Sequence, residues 1–189
     1  IITGIDFLDL SIVRCNPTGA SGYLPVHPNL RSKQCFVNPQ NTDNMCFLYA
    51  CLAKLYPVHH NKERISQYTA FMDRFDMAGV RFPVAPEKVG PIERANEVNI
   101  NIYTYHQQHG VLPVRISKEI FGTEIALLLI EEEQTSHYAL ITNKSAFLRE
   151  CGVKFERRYH AFFCPRCIAP FRSERCRDEP TALCLQPQK

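Results

Sequence analysis

Hydrophobic positions recur with two different periods along this chain. In the first half, apolar residues at helical spacing follow a polar turn at residues 40–44 and end before Pro57. In the second half, residues 98–105 alternate strictly, with Val98, Ile100 and Ile102 on one face and polar residues between them. The first pattern predicts a helix, and the second predicts a strand.

Further helices are predicted at 62–75 and 86–95, and the second of these is expected to be broken or kinked at Pro91. Further strands are predicted at 5–13, 34–37, 111–116, 125–130 and 137–142. Helices that come first and strands that follow are typical of an α+β fold with a largely antiparallel sheet.

The chain has 189 residues, which suits one ordinary domain and a small appendage. Charge places the boundary near residue 150, because residues 1–150 hold 14 Lys/Arg against 15 Asp/Glu and residues 151–189 hold 8 against 4. We therefore expect domains at 1–150 and 151–189. The basic second part is suited to a phosphate backbone, and a solvated surface is the alternative.

No apolar run approaches the roughly 18 residues of a membrane span, so we expect no membrane partner. The chain opens on Ile1 without an initiator methionine or a signal-like pattern, which indicates a piece of a longer protein. Its nine cysteines are an odd number, and five of them crowd the last 39 residues. Free thiols and a reducing compartment, cytoplasm or nucleus, are therefore expected.

Cys46 lies where the polar turn becomes the apolar helix. A helix N-terminus stabilises a thiolate, and its N–H groups can bind the oxyanion that forms when the thiolate attacks a carbonyl. The alternative is a small buried hydrophobe. A nucleophilic thiol needs a base, and among the seven histidines His137, at the mouth of a predicted strand, is the best placed.

Several stretches of the chain resemble known families. Asp43-x-x-Cys46-Phe-Leu-x-Ala resembles the signature around the nucleophile of ovarian-tumour (OTU) deubiquitinases, and Ser136-His137-Tyr138 resembles their His-aromatic motif. The segment 98–103 resembles the strand that precedes this histidine. The segments 38–48, 99–103, 137–143 and 163–171 carry a second resemblance, which covers nearly the whole chain, to a region upstream of the protein-primed B-family DNA polymerase of Polinton/Maverick transposons and adintoviruses.

The resemblance to OTU deubiquitinases implies a papain-like, OTU-like cysteine protease fold. Such a domain hydrolyses ubiquitin or ubiquitin-like C-terminal bonds, with ubiquitin or a ubiquitin-like protein as its partner. Catalytic roles then fall to Cys46 and His137, with Asn143 as a polar candidate for the third residue, and oxyanion or site-shaping roles fall to Gln40, Asp43 and Asn44.

Two positions depart from the OTU pattern. Ala139 stands where these enzymes often carry Asp or Asn, so Asn99, Asn101 or Asn38 could orient His137 in place of Asn143. Asn44 replaces the usual glycine, and asparagine tolerates left-handed dihedrals better than most residues.

A zinc site is expected in the second domain. Its ligands would be Cys164, Cys167, Cys176 and Cys184, called the tail cysteines below. The Cys-x-x-Cys pair followed by Phe171 opens like many zinc fingers, and a degenerate finger is the alternative. Two other functions stay open for the whole chain. One is a nucleic-acid-binding accessory module of a polymerase, and the other is a catalytically inactive protease fold that binds a partner.

Overall fold

The computed structural model describes residues 22–132 and 135–149, together with the backbone of 162–163 and 170–171. The α-helices are α1 (Pro28–Arg31), α2 (Cys46–Leu55), α3 (Val89–Asn96) and α4 (Lys144–Leu148). The 3₁₀ helices are Ile65–Gln67, Thr69–Arg74 and Pro86–Lys88. The strands are β1 (Phe36–Val37), β2 (Val98–His106), β3 (Gly110–Arg115), β4 (Thr123–Glu132), β5 (Thr135–Ile141), β6 (Phe162–Phe163) and β7 (Pro170–Phe171).

Five strands form one mixed sheet in the order β1-β5-β4-β2-β3. Neighbouring strands are antiparallel except β2 and β4, which run parallel. The α+β class is therefore confirmed, and so is the largely antiparallel character of the sheet. The strands β6 and β7 form a separate antiparallel pair.

The sheet is buried on both faces, and we call them the α2 face and the α1 face. The α2 face carries α2, the 3₁₀ helices and α3, and its core includes Ile100, Leu127 and Leu140. The α1 face carries α1 and α4. Its buried residues occupy the alternate strand positions: Tyr103, Ala126, Leu128, Ala139 and Ile141. Because successive strand residues point to opposite sides, this alternation assigns every residue of β4 and β5 to a face.

Helix α2 is buried around its whole circumference, since Cys46 to Ala53 are all enclosed. A helix that is apolar on all sides belongs in a core. Its Phe47 ring meets the Tyr138 ring of β5 edge-on, with centroids 5.4 Å apart. The most strongly predicted helix is therefore the central one, and it lies on β5, the strand of His137.

Two helix predictions need correction. Residues 62–75 form two 3₁₀ helices instead of one α-helix, and no residue inside either is buried. Only Tyr68 between them and Phe75 after them are enclosed, so the segment lacks the continuous apolar stripe that stabilises an α-helix. The expected break at Pro91 is absent, because this proline occupies the first turn of α3, where no intrahelical N–H bond is required.

Asparagines on β2 hold the loop that carries the chain from β3 across to β4. Asn99 exchanges two hydrogen bonds with the backbone of Phe121. The Asn101 carbonyl oxygen accepts from the Ser117 N–H at 2.8 Å, and its amide donates to Glu124 at 2.7 Å. Neither is a partner of His137, so the alternation of asparagine and isoleucine in β2 serves the parallel crossover.

Candidate active site

Cys46 is the first residue of α2 and is 2% exposed. The Asp43 carboxylate lies at this end of the helix. It accepts hydrogen bonds from the Met45 N–H at 2.9 Å and from the Tyr49 hydroxyl at 3.0 Å. The expected helix-start cysteine is therefore present, and Asp43 organises the turn before it. Asn44 is not among the residues with positive φ, so the turn forms without a left-handed residue at that position.

Tyr49 and Cys51 are kept protonated beside Cys46. Burial raises the pKa of Tyr49 to about 12, and the hydrogen bond to Asp43 and its charge add to the effect. Burial raises the pKa of Cys51 well above its usual value, with a smaller contribution from Cys46. Both groups therefore stay neutral at physiological pH.

His137 is completely buried and is held by Asn38. Its Nε2 lies 2.7 Å from Asn38 Oδ1, and Asn38 Nδ2 donates to the Leu24 carbonyl at 2.9 Å. The second bond fixes the amide so that its oxygen faces the ring, and Nε2 must then carry the proton. Nδ1 is consequently a bare lone pair, which is the form a general base requires.

Burial lowers the pKa of His137 from 6.5 to about 4, so the imidazole is neutral at physiological pH. Its Nδ1 has no hydrogen-bond partner among the described residues. Asn41 Oδ1, in the turn before Cys46, is the other buried side-chain atom of the described segments without one. Buried polar groups are usually paired, and both exceptions belong to the candidate site.

The sheet places Cys46 and His137 on different faces. His137 pairs across the strands with Ile130, which packs against the core of the α1 face. Tyr138, the next residue, packs under α2. The two side chains therefore approach β5 from opposite sides.

They approach near a free edge of that strand. Strand β1 pairs with Leu140 and Ile141 only, so no described strand lies beside His137 on the side away from β4. The segment that follows β1 runs there, because its Asn38 reaches His137, and it leads through Asn41 and Asp43 into α2. This edge is the region where the two side chains can approach each other.

Tyr23 lies against His137 on the α1 face. The two rings meet edge-on with centroids 5.9 Å apart, and Tyr23 is 45% exposed whereas His137 is 0% exposed. Tyr23 therefore contributes to the cover that separates the imidazole from solvent.

Asn143 is not a partner of His137. It is the N-cap of α4, where its side-chain oxygen accepts from the Ala146 N–H at 2.9 Å. Asn38, one of the three asparagines that the sequence offered as alternatives, orients the imidazole instead. The Gln40 side chain is exposed, and its backbone N–H donates to the Glu63 carbonyl at 2.8 Å.

The tail cysteines lie outside the described residues, and so does residue 150, where the domain boundary is expected. Strands β6 and β7 directly flank the segment that contains Cys164 and Cys167. Within the described segments, no group of three or more histidine, cysteine or acidic side chains is arranged to hold a metal ion. The zinc site and the domain division therefore stay predictions.

No helix within 22–132 or 135–149 is long and apolar enough to cross a membrane. Comparisons with protein-family models, with curated proteins and with solved structures each found no match for this chain.

Proposed function

We propose that this chain is a papain-like thiol hydrolase in which Cys46 is the nucleophile, His137 is the base and Asn38 positions His137. The observation that carries the proposal is the state of the imidazole. Asn38 fixes the proton on Nε2, and the buried Nδ1 lone pair has no described donor to accept from. An oriented imidazole with one bare nitrogen is how thiol hydrolases activate cysteine.

In the proposed reaction, Nδ1 takes the Cys46 proton and the thiolate sulfur attacks a substrate carbonyl carbon. The negative charge of the thiolate offsets the burial penalty on the imidazolium. N–H groups of the first turn of α2, which lack intrahelical partners, bind the oxyanion. The C–N bond breaks, the leaving amine takes the proton from Nδ1, and a thioester remains. Water, deprotonated by Nδ1, then releases the carboxylate and the thiol.

The proposal sets a geometric requirement. Cys46 and His137 start from opposite faces of β5, so sulfur and imidazole have to meet at the free edge beside Asn38. The same short segment carries Asn38 and leads to Cys46, which makes this edge the natural meeting point. Tyr23 would also have to move away from His137 to let the substrate in.

We propose ubiquitin, or a ubiquitin-like protein, as the substrate, with cleavage after its C-terminal glycines. Support comes from the resemblance of the residues around Cys46 and His137 to those of OTU deubiquitinases. We place the protein in a reducing compartment, cytoplasm or nucleus, where the described cysteines Cys35, Cys46 and Cys51, none of which is in a disulfide bond, would stay reduced. A structural zinc bound by the tail cysteines belongs to the same proposal.

The test is labelling by a ubiquitin probe that carries an electrophile at its C-terminus. The wild-type chain should form a covalent adduct, and Cys46→Ala and His137→Ala should not. Cys51→Ala and His59→Ala are matched controls that should label like the wild type, because Cys51 is enclosed in α2 and His59 is exposed on a loop. Adduct formation that persists in Cys46→Ala would remove Cys46 from its role.

The second candidate is a protease-like fold that binds a partner without catalysis. The observation that favours it is the placement of Cys46 and His137 on opposite faces, with both side chains closed to solvent. Iodoacetamide separates the two functions, because it needs an activated thiol and no recognition of ubiquitin. If Cys46 is alkylated no faster than Cys51 at neutral pH, the chain is the binding protein.

A further inference from the structure

A groove of about 430 Å³ opens on the α1 face of the sheet. Its floor is formed by the ends of β2, β4 and β5, and its roof by residues 25–31, which include α1. This volume lies within the range of sites that bind small ligands or short peptide segments.

Strand alternation identifies the side chains of the floor. On the α1 face, Leu128 pairs with Ala139, Ile130 with His137, and Glu132 with Thr135. Leu128, Ile130, Glu132 and Thr135 all line the groove. The floor is therefore apolar at its inner end and acidic at its outer end.

Tyr105 joins the roof to the floor. Its hydroxyl accepts a hydrogen bond from the Asn29 amide at 3.1 Å, and the His27 ring lies over its own with centroids 5.0 Å apart. Leu30 of α1 is fully buried against the same core. The roof is therefore fixed to the sheet, and the groove does not depend on a hinge.

Besides Glu131, which strand alternation assigns to the other face, two opposite charges line the groove without neutralising each other. Arg31 in the roof donates through Nε to the Val26 carbonyl at 2.9 Å. Glu132 stands in the floor. Neither forms an ion pair with another described residue, and both are exposed. A ligand with one acidic and one basic group can therefore satisfy both.

The two histidines that line the groove are donors. His27 Nδ1 accepts the Asn29 N–H at 3.3 Å, and His106 Nδ1 accepts the Gln108 N–H at 3.2 Å. In the neutral rings the proton is then on Nε2. An Nε2–H group can donate to a peptide carbonyl, so these rings suit a peptide backbone.

We propose that this groove binds an extended peptide segment in which an apolar side chain is flanked by one acidic and one basic side chain. The apolar side chain packs on Leu128 and Ile130, the basic group faces Glu132 and the acidic group faces Arg31. His27 and His106 donate to the peptide backbone. This site does not rest on the proposed catalysis, although it lies beside His137 through Ile130 and Thr135.

The test uses direct binding by the full chain that carries Cys46→Ala, so that no covalent reaction contributes. Fluorescently labelled, end-blocked peptides with a central leucine are compared by anisotropy. One group has an acidic and a basic residue flanking the leucine, in both orders, and the others carry two acidic, two basic or two neutral residues. One of the two dipolar peptides should bind most tightly.

Charge reversals then assign each end of the ligand. Glu132→Lys should weaken the best peptide roughly 3- to 30-fold, because an exposed ion pair of modest strength is replaced by a repulsion of similar size. A peptide with two acidic residues should recover that loss, which also shows that the variant is folded. Arg31→Glu should give the mirror result with two basic residues. Glu87→Lys and Lys88→Glu, exposed beside α3, are the matched controls.

Two results would overturn the proposal. One is equal affinity for all the peptides, or no measurable binding of any of them. The two charges would then not select the ligand. The other is a loss of affinity in the control variants as large as that in Glu132→Lys. Failure of ubiquitin labelling by the wild-type chain would leave this site unaffected, because binding is measured without Cys46.

Discussion

The buried imidazole of His137 should make the stability of the protein depend on pH. Its pKa is about 4 in the folded chain, against 6.5 without burial. Below pH 6.5 the unfolded chain therefore binds a proton that the folded chain does not. The free energy of unfolding falls as the pH falls, and the loss is complete near pH 4. Above pH 6.5 His137 contributes no pH dependence.

The shift corresponds to a loss of about 3 kcal/mol between neutral pH and pH 4. The perturbation that isolates it is His137→Gln, because a glutamine amide keeps a donor for Asn38 Oδ1 but does not titrate. The acidic groups and the other histidines are common to both proteins, so the difference between the two stability curves reports His137.

The assay is urea unfolding at several pH values, followed by far-UV circular dichroism because the chain has no tryptophan. His59→Gln, at an exposed position, is the control and should follow the wild type. A constant difference between wild type and His137→Gln at all pH values would refute the reasoning. A wild type that gains relative stability at low pH would show that a negative charge lies beside Nδ1.

Two further predictions follow from the site and from the tail. Asn38→Ala should cost about 1–3 kcal/mol of stability and slow ubiquitin-probe labelling at least about tenfold, because the buried Nε2–H loses its acceptor and the ring its orientation. Asn143→Ala should cost about 1 kcal/mol of stability as a lost helix cap and leave labelling unchanged. Equal labelling by Asn38→Ala and Asn143→Ala would contradict the assignment of Asn38 as the residue that orients His137. Elemental analysis should find about one zinc per chain, and serine at the tail cysteines should remove it without slowing labelling; wild-type protein without zinc would refute the site.

The elements with strong periodicity were predictable from the sequence. Helix α2 and strands β2 to β5 lie close to their expected positions, because their apolar residues recur at one spacing over many residues. The 3₁₀ segments were not, since residues 62–75 carry helix-forming residues but bury only Tyr68 and Phe75. Their conformation depends on which residues the folded chain buries, and a local sequence pattern does not show that.

The face of His137 was also beyond the sequence. The segment from His137 to Ile141 is apolar on both sides, so alternation alone does not say which side α2 covers. Its partner Asn38 lies 99 residues earlier in the chain, and only the pairing of β1 with β5 brings the two together. Asn143, by contrast, precedes a short helical segment, and the preference of asparagine for N-caps was a signal for its actual role.

The two unmet acceptors bear on the choice between a hydrolase and a binding protein. Asn41 Nδ2 donates to the Asp43 backbone oxygen, so its Oδ1 is fixed as an acceptor, and Asn38 fixes His137 Nδ1 in the same state. The described core contains no other such side-chain atom, so the unmet acceptors are confined to the surroundings of Cys46 and His137. In the proposed reaction the thiol supplies one proton to Nδ1, and a substrate N–H can supply the other donor to Asn41. Both acceptors are therefore positioned as the proposed hydrolase requires, one for the thiol proton and one for a substrate N–H.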